Sequence, residues 1–405
     1  MNRRVVITGV GVVTPIGVGW DAFTESLKEG WSGEGDIHSF EFPDFPVKRA
    51  FEVKDFDAKR HGTHLLDPFI QYAVAAADEA FEHAKFIPEA VDVDRTGISM
   101  SSSKGGVRTI DRFRERFRQN RSAILGARIY TSAVPNFAAQ WIARKWKVRG
   151  PAKCYIAACA TGTAAILEGM RMVRDDIVDY CVAGASDASI VPLMLAGYKN
   201  MKALSLKGMR PFDRRRSGFM VGEGAGAVFL ETYESAKARG ADILAEVVGG
   251  AFGNDCFHVT RFDPDDDALA RTVKNLMQKT ELSPEMIDYV NLHGTATVEG
   301  DIYETNQLKT ALGARANDIS MSSTKSMTGH MLGASGAVEV ASILSAMKHG
   351  FIPPTIGLEE PDPRCDLDYT PLRAKDKKVV HALSVSMGFG GHITAIALKN
   401  LSDGN

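Results

Sequence analysis

A short run of small residues opens a helical pattern at two places in this chain. Cys159-Ala-Thr-Gly162 follows a strand pattern and leads into helical spacing over Thr163–Val173. Gly333-Ala-Ser-Gly336 likewise follows a strand and loop and leads into helical spacing over Ala337–Met347. Downstream of each comes a glycine-rich element and then a strand: Gly222-Glu-Gly224 before Ala225–Leu230, and Gly388-Phe-Gly390 before Ile393–Leu398. The repetition favours two similar halves joined near residues 232–245 over two unrelated domains. Elsewhere, short β-branched runs alternate with helical patterns, which predicts an α/β fold.

Val5–Thr8 reads as a strand, and so do Cys154–Ala157, Val178–Ala183, Ile243–Val248, Asp288–Leu292 and Ile319–Met321. Leu66–Phe86 reads as a helix that starts beside Asp67-Pro68, a cap and first turn. Residues 30–62 read as an irregular excursion. A chain of 405 residues buries a sizeable core without staples. Its 44% apolar and 24% charged content excludes disorder, a collagen-like repeat and a coiled coil. A net charge of −2 argues against a general nucleic-acid-binding surface. Five cysteines with no CxxC pair argue against a disulfide framework and structural zinc, and for a reduced, cytoplasmic protein. The apolar stretch Val5–Val13 is too short and glycine-broken for a signal peptide. No apolar run approaches the ~18 residues of a membrane helix.

Cys159 lies at a strand-to-helix junction. Unpaired N–H groups and the positive end of the helix dipole there stabilise a thiolate, which points to a nucleophile. Cys154, Cys181, Cys256 and Cys365 have no such setting and read as structural. His293 ends the strand Asp288–Leu292, where α/β proteins bind ligands. His330 precedes the helix that mirrors the Cys159 helix, so duplicated halves bring the two face to face. Lys325 and Glu304 are candidates for an ion pair that fixes the histidines, and Asp301 for a helix cap. Gly9-Val-Gly11 lacks the third glycine of a dinucleotide fingerprint, and Ser322-Ser-Thr-Lys325 lacks the companions of a serine acyl-enzyme motif. Asp263-Pro-Asp-Asp-Asp267 reads as a helix start and cap, not a calcium loop. Six arginines in Arg108–Arg121 spread round a helix as a solvated surface. In Lys199–Arg216 seven basic residues face only Asp213, which suggests docking of an acidic partner or phosphate-bearing substrate.

In order along the chain stand Val6-Ile-Thr-Gly-Val-Gly11, Thr14-Pro-Ile-Gly17, Ala158-Cys-Ala-Thr-Gly162, Arg210-Pro-Phe-Asp213 and Gly222-Glu-Gly-Ala-Gly226. They are followed by His293-Gly-Thr-Ala-Thr297, Thr324-Lys325, Gly329-His330, Gly333-Ala-Ser-Gly336 and Gly388-Phe-Gly-Gly391. Together, and over essentially the whole chain, these motifs resemble the β-ketoacyl-acyl carrier protein synthases, elongating condensing enzymes of the thiolase-like superfamily. The resemblance implies a thiolase-like fold, with two pseudo-duplicated halves forming a five-layer αβαβα sandwich. Residues 1–240 would hold the nucleophile and cap insertions, and residues 241–405 both histidines. It further implies a Cys159, His293, His330 triad, Lys325 paired with Glu304, and an oxyanion hole of the Cys159 and Phe389 backbone N–H groups. Phe389 would gate the acyl pocket. Thr295, Thr297 and Thr260 would hold the pantetheine arm, and Lys202, with Lys207 and Arg210, would dock the carrier.

The implied reaction is decarboxylative condensation of an acyl-enzyme with malonyl-acyl carrier protein, in fatty acid or polyketide elongation. It would need no metal, nucleotide or redox cofactor, take acyl carrier protein as partner, and be run by a homodimer. The rival readings are a non-elongating, chain-length-factor-like subunit, a CoA-dependent, thiolase-like acyltransferase and a cysteine hydrolase. The chain departs from the family pattern at Ser217, where aspartate usually precedes Gly-Phe, at His392 in place of a common threonine, and at His64-Leu-Leu66, which lacks a basic pair. It departs also at Ser101-Ser-Ser-Lys104, unlike the usual glycine-containing segment before Gly105-Gly106.

Overall fold

The computed structural model describes residues 3–41, 44–120 and 126–401. The first long apolar run, Val5–Thr14, is almost all β-branched or glycine, and it is buried along its whole length as strand β1. That pattern suits a strand covered on both faces. Nine more strands follow: β2 (Thr96–Ser101), β3 (Ala152–Lys153), β4 (Tyr180–Asp187), β5 (Gly224–Thr232), β6 (Ala245–Asn254), β7 (Tyr289–Asn291), β8 (Ser320–Ser322), β9 (His381–Gly388) and β10 (His392–Lys399). With the short Gly17–Val18 strand beside β1 they make one 11-stranded sheet, ordered β8-β7-β9-β10-β6-β1-β5-β4-β2-β3.

The duplication is visible in that order. Counted outward from the middle, β1-β5-β4-β2-β3 and β6-β10-β9-β7-β8 are the same path displaced by five strands. The pairings match as well. β1 with β5, β5 with β4, β6 with β10 and β10 with β9 are antiparallel, while β4 with β2, β2 with β3, β9 with β7 and β7 with β8 are parallel. The halves join edge to edge where Val5, Val6 and Ile7 pair antiparallel with Val247, Glu246 and Ala245.

Six helices matter to the site: α1 (Pro68–His83), α2 (Val107–Gln119), α3 (Thr161–Arg174), α4 (Ala268–Thr280), α5 (Val298–Leu312) and α6 (Ser335–His349). α1 begins as its sequence predicts, with the Asp67 carboxylate accepting the Phe69 N–H at 3.2 Å and Pro68 in the first turn. It covers β1, β5 and β4 from outside, while α4 covers β6 and β10. α3 and α6 lie between the halves and touch strands of both, which gives the five-layer αβαβα order. The two inner helices meet at their first turns. A Cβ on Gly162 would stand 2.5 Å from the Ala337 nitrogen, and one on Gly336 2.3 Å from Thr163 Oγ1. Only glycine permits that approach, which explains why the repeated signature ends in glycine. Ahead of each helix, Ala158 (φ 48) and Leu332 (φ 52) occupy the same left-handed backbone position in the two halves.

Some expectations give way. The strand predicted over Cys154–Ala157 is only Ala152–Lys153, because the chain then leaves the ladder and the Tyr155 N–H bonds to Ser101 Oγ at 2.9 Å. The arginine run is not wholly solvated. Arg108 on α2 ion-pairs with buried Glu223, whereas Arg114 and Arg118 carry only surface pairs on their own helix; Arg121 lies outside the described residues. Asp267 precedes α4 without a side-chain cap. Among the described residues no helix is long and apolar enough to cross a membrane, and no cluster of metal-binding side chains occurs.

Candidate active site

Cys159 sits in the single turn Ala158–Ala160 that leads from β3 into α3, flanked by Ala157, Ala158 and Ala160. Thr161 fixes that turn by accepting the Ala157 N–H at 2.9 Å and donating to the Ala158 carbonyl at 2.7 Å. His330 arrives from the other half, after β8 and the short helix Lys325–Thr328, held by its N–H to the Met220 carbonyl at 2.8 Å. Its Nε2 lies 3.2 Å from Cys159 Sγ, and its Nδ1 lies 3.1 Å from Ser335 Oγ at the start of α6. A serine hydroxyl can donate or accept, so it accommodates either tautomer of His330.

His293 follows β7, with its ring centroid 5.5 Å from that of His330 and the planes at 88°. Its Nδ1 is buried and meets no partner among the described residues. The tautomer with its hydrogen on Nε2 leaves only a lone pair unmet there, not an N–H. The sharp turn after His293 is set by Glu304 on α5, whose two oxygens accept the His293 and Gly294 N–H groups at 2.6 and 2.7 Å. Phe389 comes in at the end of β9, where its backbone N–H opposes the rise of the Cys159 thiol. A Cβ on Gly388 would stand 3.0 Å from the Cys159 nitrogen, so the Cys159 and Phe389 amides stand close together.

The expected Lys325–Glu304 pair does not form. Lys325 Nζ ion-pairs with Glu339 on α6, and both side chains are almost fully buried. Glu304 instead spends both oxygens on backbone amides. Asp301 is also more than a helix cap: in the first turn of α5 it accepts the Ala296 N–H at 3.0 Å and the Phe212 N–H at 2.7 Å. Arg216 stands 3.4 Å from it, and Asp362 lies 2.8 Å from Arg216 on the other side. The basic run therefore divides. Arg214, Arg215 and Arg216 are committed to Glu360, Asp213 and Asp362, while Lys202 and Lys207 are exposed, Arg210 is half-buried, and among the described residues none of these three has an ion-pair partner.

Thr295 and Thr297 come together, their hydroxyls 3.2 Å apart beside His293. Thr260 is on a separate loop that reaches the rim because the Val259 carbonyl accepts the Gly390 N–H at 2.8 Å. Phe389 is half-buried against the cluster that includes Phe219, Ala296 and Leu332. Sequence reasoning missed Glu339 and Asp187. A lone acid inside the apolar helix over Ala337–Met347 was the signal for Glu339. Asp187 ends a strand at the same sheet edge as the nucleophile.

The dipole argument predicts a thiolate, but burial outweighs it. Burial pushes the Cys159 thiol up to about 11, against the opposing pull of Lys104, Lys325 and the Phe389 N–H. Burial, reinforced by Lys325, also holds both imidazoles well below the ordinary histidine value. The resting site is a neutral thiol beside neutral imidazoles, and the sulfur becomes anionic only as it gives up its proton. Alkylation of Cys159 by iodoacetamide should therefore climb roughly tenfold per pH unit between pH 6 and 9, following the thiolate fraction. A plateau in that interval would mark a standing thiolate–imidazolium pair instead.

With this geometry in place, residues 2–236 match the family model described as β-ketoacyl synthase, N-terminal domain, and residues 244–359 the C-terminal domain of the same family. The chain is 38% identical to the 3-oxoacyl-[acyl-carrier-protein] synthase 2 of Synechocystis sp., covering 98% of both chains. It is 35% identical to the protein of the same name from Coxiella burnetii, covering 99% of this chain and all of the other. Among solved structures, it resembles the ishigamide ketosynthase/chain length factor (TM-score 0.94, 32% identity, 99% and 100% covered). A type II polyketide ketosynthase in complex with its acyl-carrier protein and bound to the hexaketide is also similar (TM-score 0.90, 31% identity, 99% and 100% covered).

Proposed function

The chain belongs to the β-ketoacyl synthase family, and from that premise we propose that Cys159, His293 and His330 carry its reaction. The enzyme is a condensing acyltransferase that joins an acyl group to malonyl-acyl carrier protein and releases carbon dioxide and 3-oxoacyl-acyl carrier protein. The observation that carries the site assignment is the 3.2 Å approach of His330 Nε2 to Cys159 Sγ at the meeting of two helix starts.

In the first half-reaction the Cys159 proton passes to His330 Nε2 as the sulfur attacks the acyl thioester. The adjacent Cys159 and Phe389 amides receive the developing oxyanion, and the carrier thiol departs with the proton. In the second, malonyl-carrier places its thioester oxygen between His293 and His330, now acting as Nε2–H donors. The carbon–carboxylate bond breaks, carbon dioxide leaves, and the electron pair becomes an enolate. The enolate carbon attacks the acyl-Cys159 carbonyl. The carbon–sulfur bond breaks, and the sulfur takes up one proton to restore the thiol. Ser335, able to serve either tautomer of His330, suits a ring that accepts in one half-reaction and donates in the next.

Lys325, held by Glu339, keeps a positive charge near both rings and so keeps them neutral. Glu304 positions His293 through the backbone. Thr295, Thr297 and, from the rim, Thr260 hold the pantetheine arm, and Phe389 closes the acyl side. Lys202, Lys207 and Arg210, without carboxylate partners among the described residues, meet the acidic carrier. Residues 1–240 and 241–405 act as the nucleophile half and the histidine half. Two copies assemble through the edge beyond β3, where Tyr155 (42% exposed) and Ile156 (53%) stand near Phe252 (52%) as an uncovered apolar group. A chain-length-factor-like role would leave the Cys159–His330 pairing without use.

His293→Ala separates the steps. The variant should still form the acyl adduct at Cys159, seen by intact mass, while 3-oxoacyl product falls by roughly 10²–10³-fold because an oxyanion donor is gone. Equal loss of the adduct would contradict this division of labour.

A further inference from the structure

Three helices begin around one cavity of about 310 Å³ in the first half of the chain. Pro68 opens α1, Arg108 and Thr109 lie in the first turn of α2, and Pro192 opens the helix Pro192–Asn200. The positive end of each helix dipole therefore borders the space. Proline suits a first helical position because it has no N–H to leave unmet. Here Pro68 and Pro192, with Phe40, Ile190 and Val191, give the cavity an apolar wall. Ser39 completes that wall, its hydroxyl donating to the Ile190 carbonyl at 3.4 Å. Cys159, His293 and His330 do not line it.

Two of the lining residues carry a buried polar atom that meets no partner among the described residues. Arg108 gives one end of its guanidinium to buried Glu223, but its Nε–H finds no acceptor. Thr109 is 1% exposed, and its hydroxyl is likewise unmet. That hydroxyl stands near the Asp67 carboxyl, which is already taken by the Thr109 N–H at 2.7 Å and the Phe69 N–H at 3.2 Å. The other acids around the cavity are committed too. Glu52 accepts the His38 and Ser39 N–H groups, Glu223 also accepts the Tyr72 hydroxyl, and Asp111 pairs with Arg114. Arg112, exposed where it lines the cavity, has no ion-pair partner among the described residues. The lining side chains thus hold two guanidiniums against one carboxylate. A buried donor left unmet is unfavourable until an acceptor arrives.

We propose that this cavity is a binding site for a small carboxylic acid, with the carboxylate on Arg112, Arg108 Nε and the Thr109 hydroxyl, and the apolar body on the wall of Phe40 and the two prolines. A planar anion with two oxygens matches what guanidinium groups offer. A volume of about 310 Å³ lies at the small end of ligand pockets, so the ligand is a short or single-ring acid. Its position has a structural consequence. Ser102 and Ser103, after β2, donate to Asp187 at the end of β4 at 2.7 and 2.6 Å, and Asp187 also accepts the Gly333 N–H at 2.7 Å. A bound acid would tie the start of α2 to the segment Ile190–Pro192, the same two stretches that Asp187 joins beside the meeting of α3 and α6. The site stands independently of the role given to Cys159.

The test uses 4-bromobenzoate and the full chain with Cys159 first alkylated by iodoacetamide. Isothermal titration reads the affinity, and the anomalous signal of bromine in soaked crystals reads the place. The bromine should appear inside the cavity. Arg112→Gln, an exposed change that breaks no ion pair of the fold, should weaken binding roughly tenfold or more, as loss of a charged hydrogen bond does. Thr109→Val keeps the shape and the backbone bond to Asp67, and should weaken it roughly two- to tenfold. 4-Bromobenzamide, of the same shape without the charge, should bind roughly tenfold more weakly than the acid. No binding at millimolar acid, bromine only outside the cavity, an amide that binds as tightly as the acid, or Arg112→Gln without effect overturns the proposal. Acyl-adduct formation at Cys159 is measured separately and does not depend on any of these outcomes.

Discussion

Cys159→Ala is expected to abolish the acyl adduct and to lower carbon–carbon bond formation by roughly 10⁴-fold or more, the scale on which an enzyme loses its nucleophile. The substitution removes one sulfur from a pocket already lined by Ala157, Ala158 and Ala160, so the fold survives it. The histidines also survive it. His330 Nε2 loses its 3.2 Å partner but keeps Ser335 on the other nitrogen, and His293 keeps the turn that Glu304 sets. Decarboxylation of malonyl-carrier to acetyl-carrier should therefore persist after condensation has gone. Intact mass reads the first loss, and the acetyl-carrier product reads what remains. An acyl adduct on the variant, displaced to Cys154 or Cys181, would contradict the assignment. So would decarboxylation falling as steeply as condensation.

Why the site could be read so far ahead is a matter of which constraints are local. The repeated small-residue signature exists because α3 and α6 meet at Gly162 and Gly336 with no room for a Cβ. Such a constraint leaves its mark on sequence, and it located Cys159. His293 and His330 were legible because each ends a strand-and-loop unit whose strand pattern is local too. What was not legible depended on long-range geometry. Lys325 was matched to Glu304, but α5 uses that carboxylate to hold two backbone amides, and the ion pair is made by Glu339 from α6. No spacing rule distinguishes these two acids, since both lie on helices that reach the same pocket. The thiolate expected from the helix dipole fails for a related reason. The dipole is local and visible, whereas the burial that pushes the thiol up is a property of the assembled halves. The short β3 was missed because the apolar run over Cys154–Ala157 resembles a strand until Ser101 takes the Tyr155 amide out of the ladder.

Lys325→Met should cost about 3–5 kcal/mol of stability, because it leaves Glu339 buried without its cation. For a chain of this size that corresponds to a fall in Tm of about 4–6 °C. The remaining contact of Glu339, Ser386 Oγ at 3.5 Å, is too long to compensate. Burial already raises the Glu339 carboxyl above its ordinary value while Lys325 opposes it, so removing Lys325 raises it further. A carboxyl whose folded value exceeds its unfolded value binds its proton more tightly in the native state. The stability linked to it is then greatest in acid and falls as pH rises through the folded value. The Tm gap between wild type and Lys325→Met should accordingly widen from pH 5.5 to pH 8. A gap independent of pH would mean that the pair is not ionised. Lys325→Met combined with Glu339→Gln should recover most of the stability, since no charge is then buried alone. Condensation should not recover, because the cation that helps hold both imidazoles neutral is still missing. A double variant regaining both stability and condensation would reduce Lys325 to a structural strut, whereas regaining stability alone ties the lysine's charge to the chemistry of the two rings.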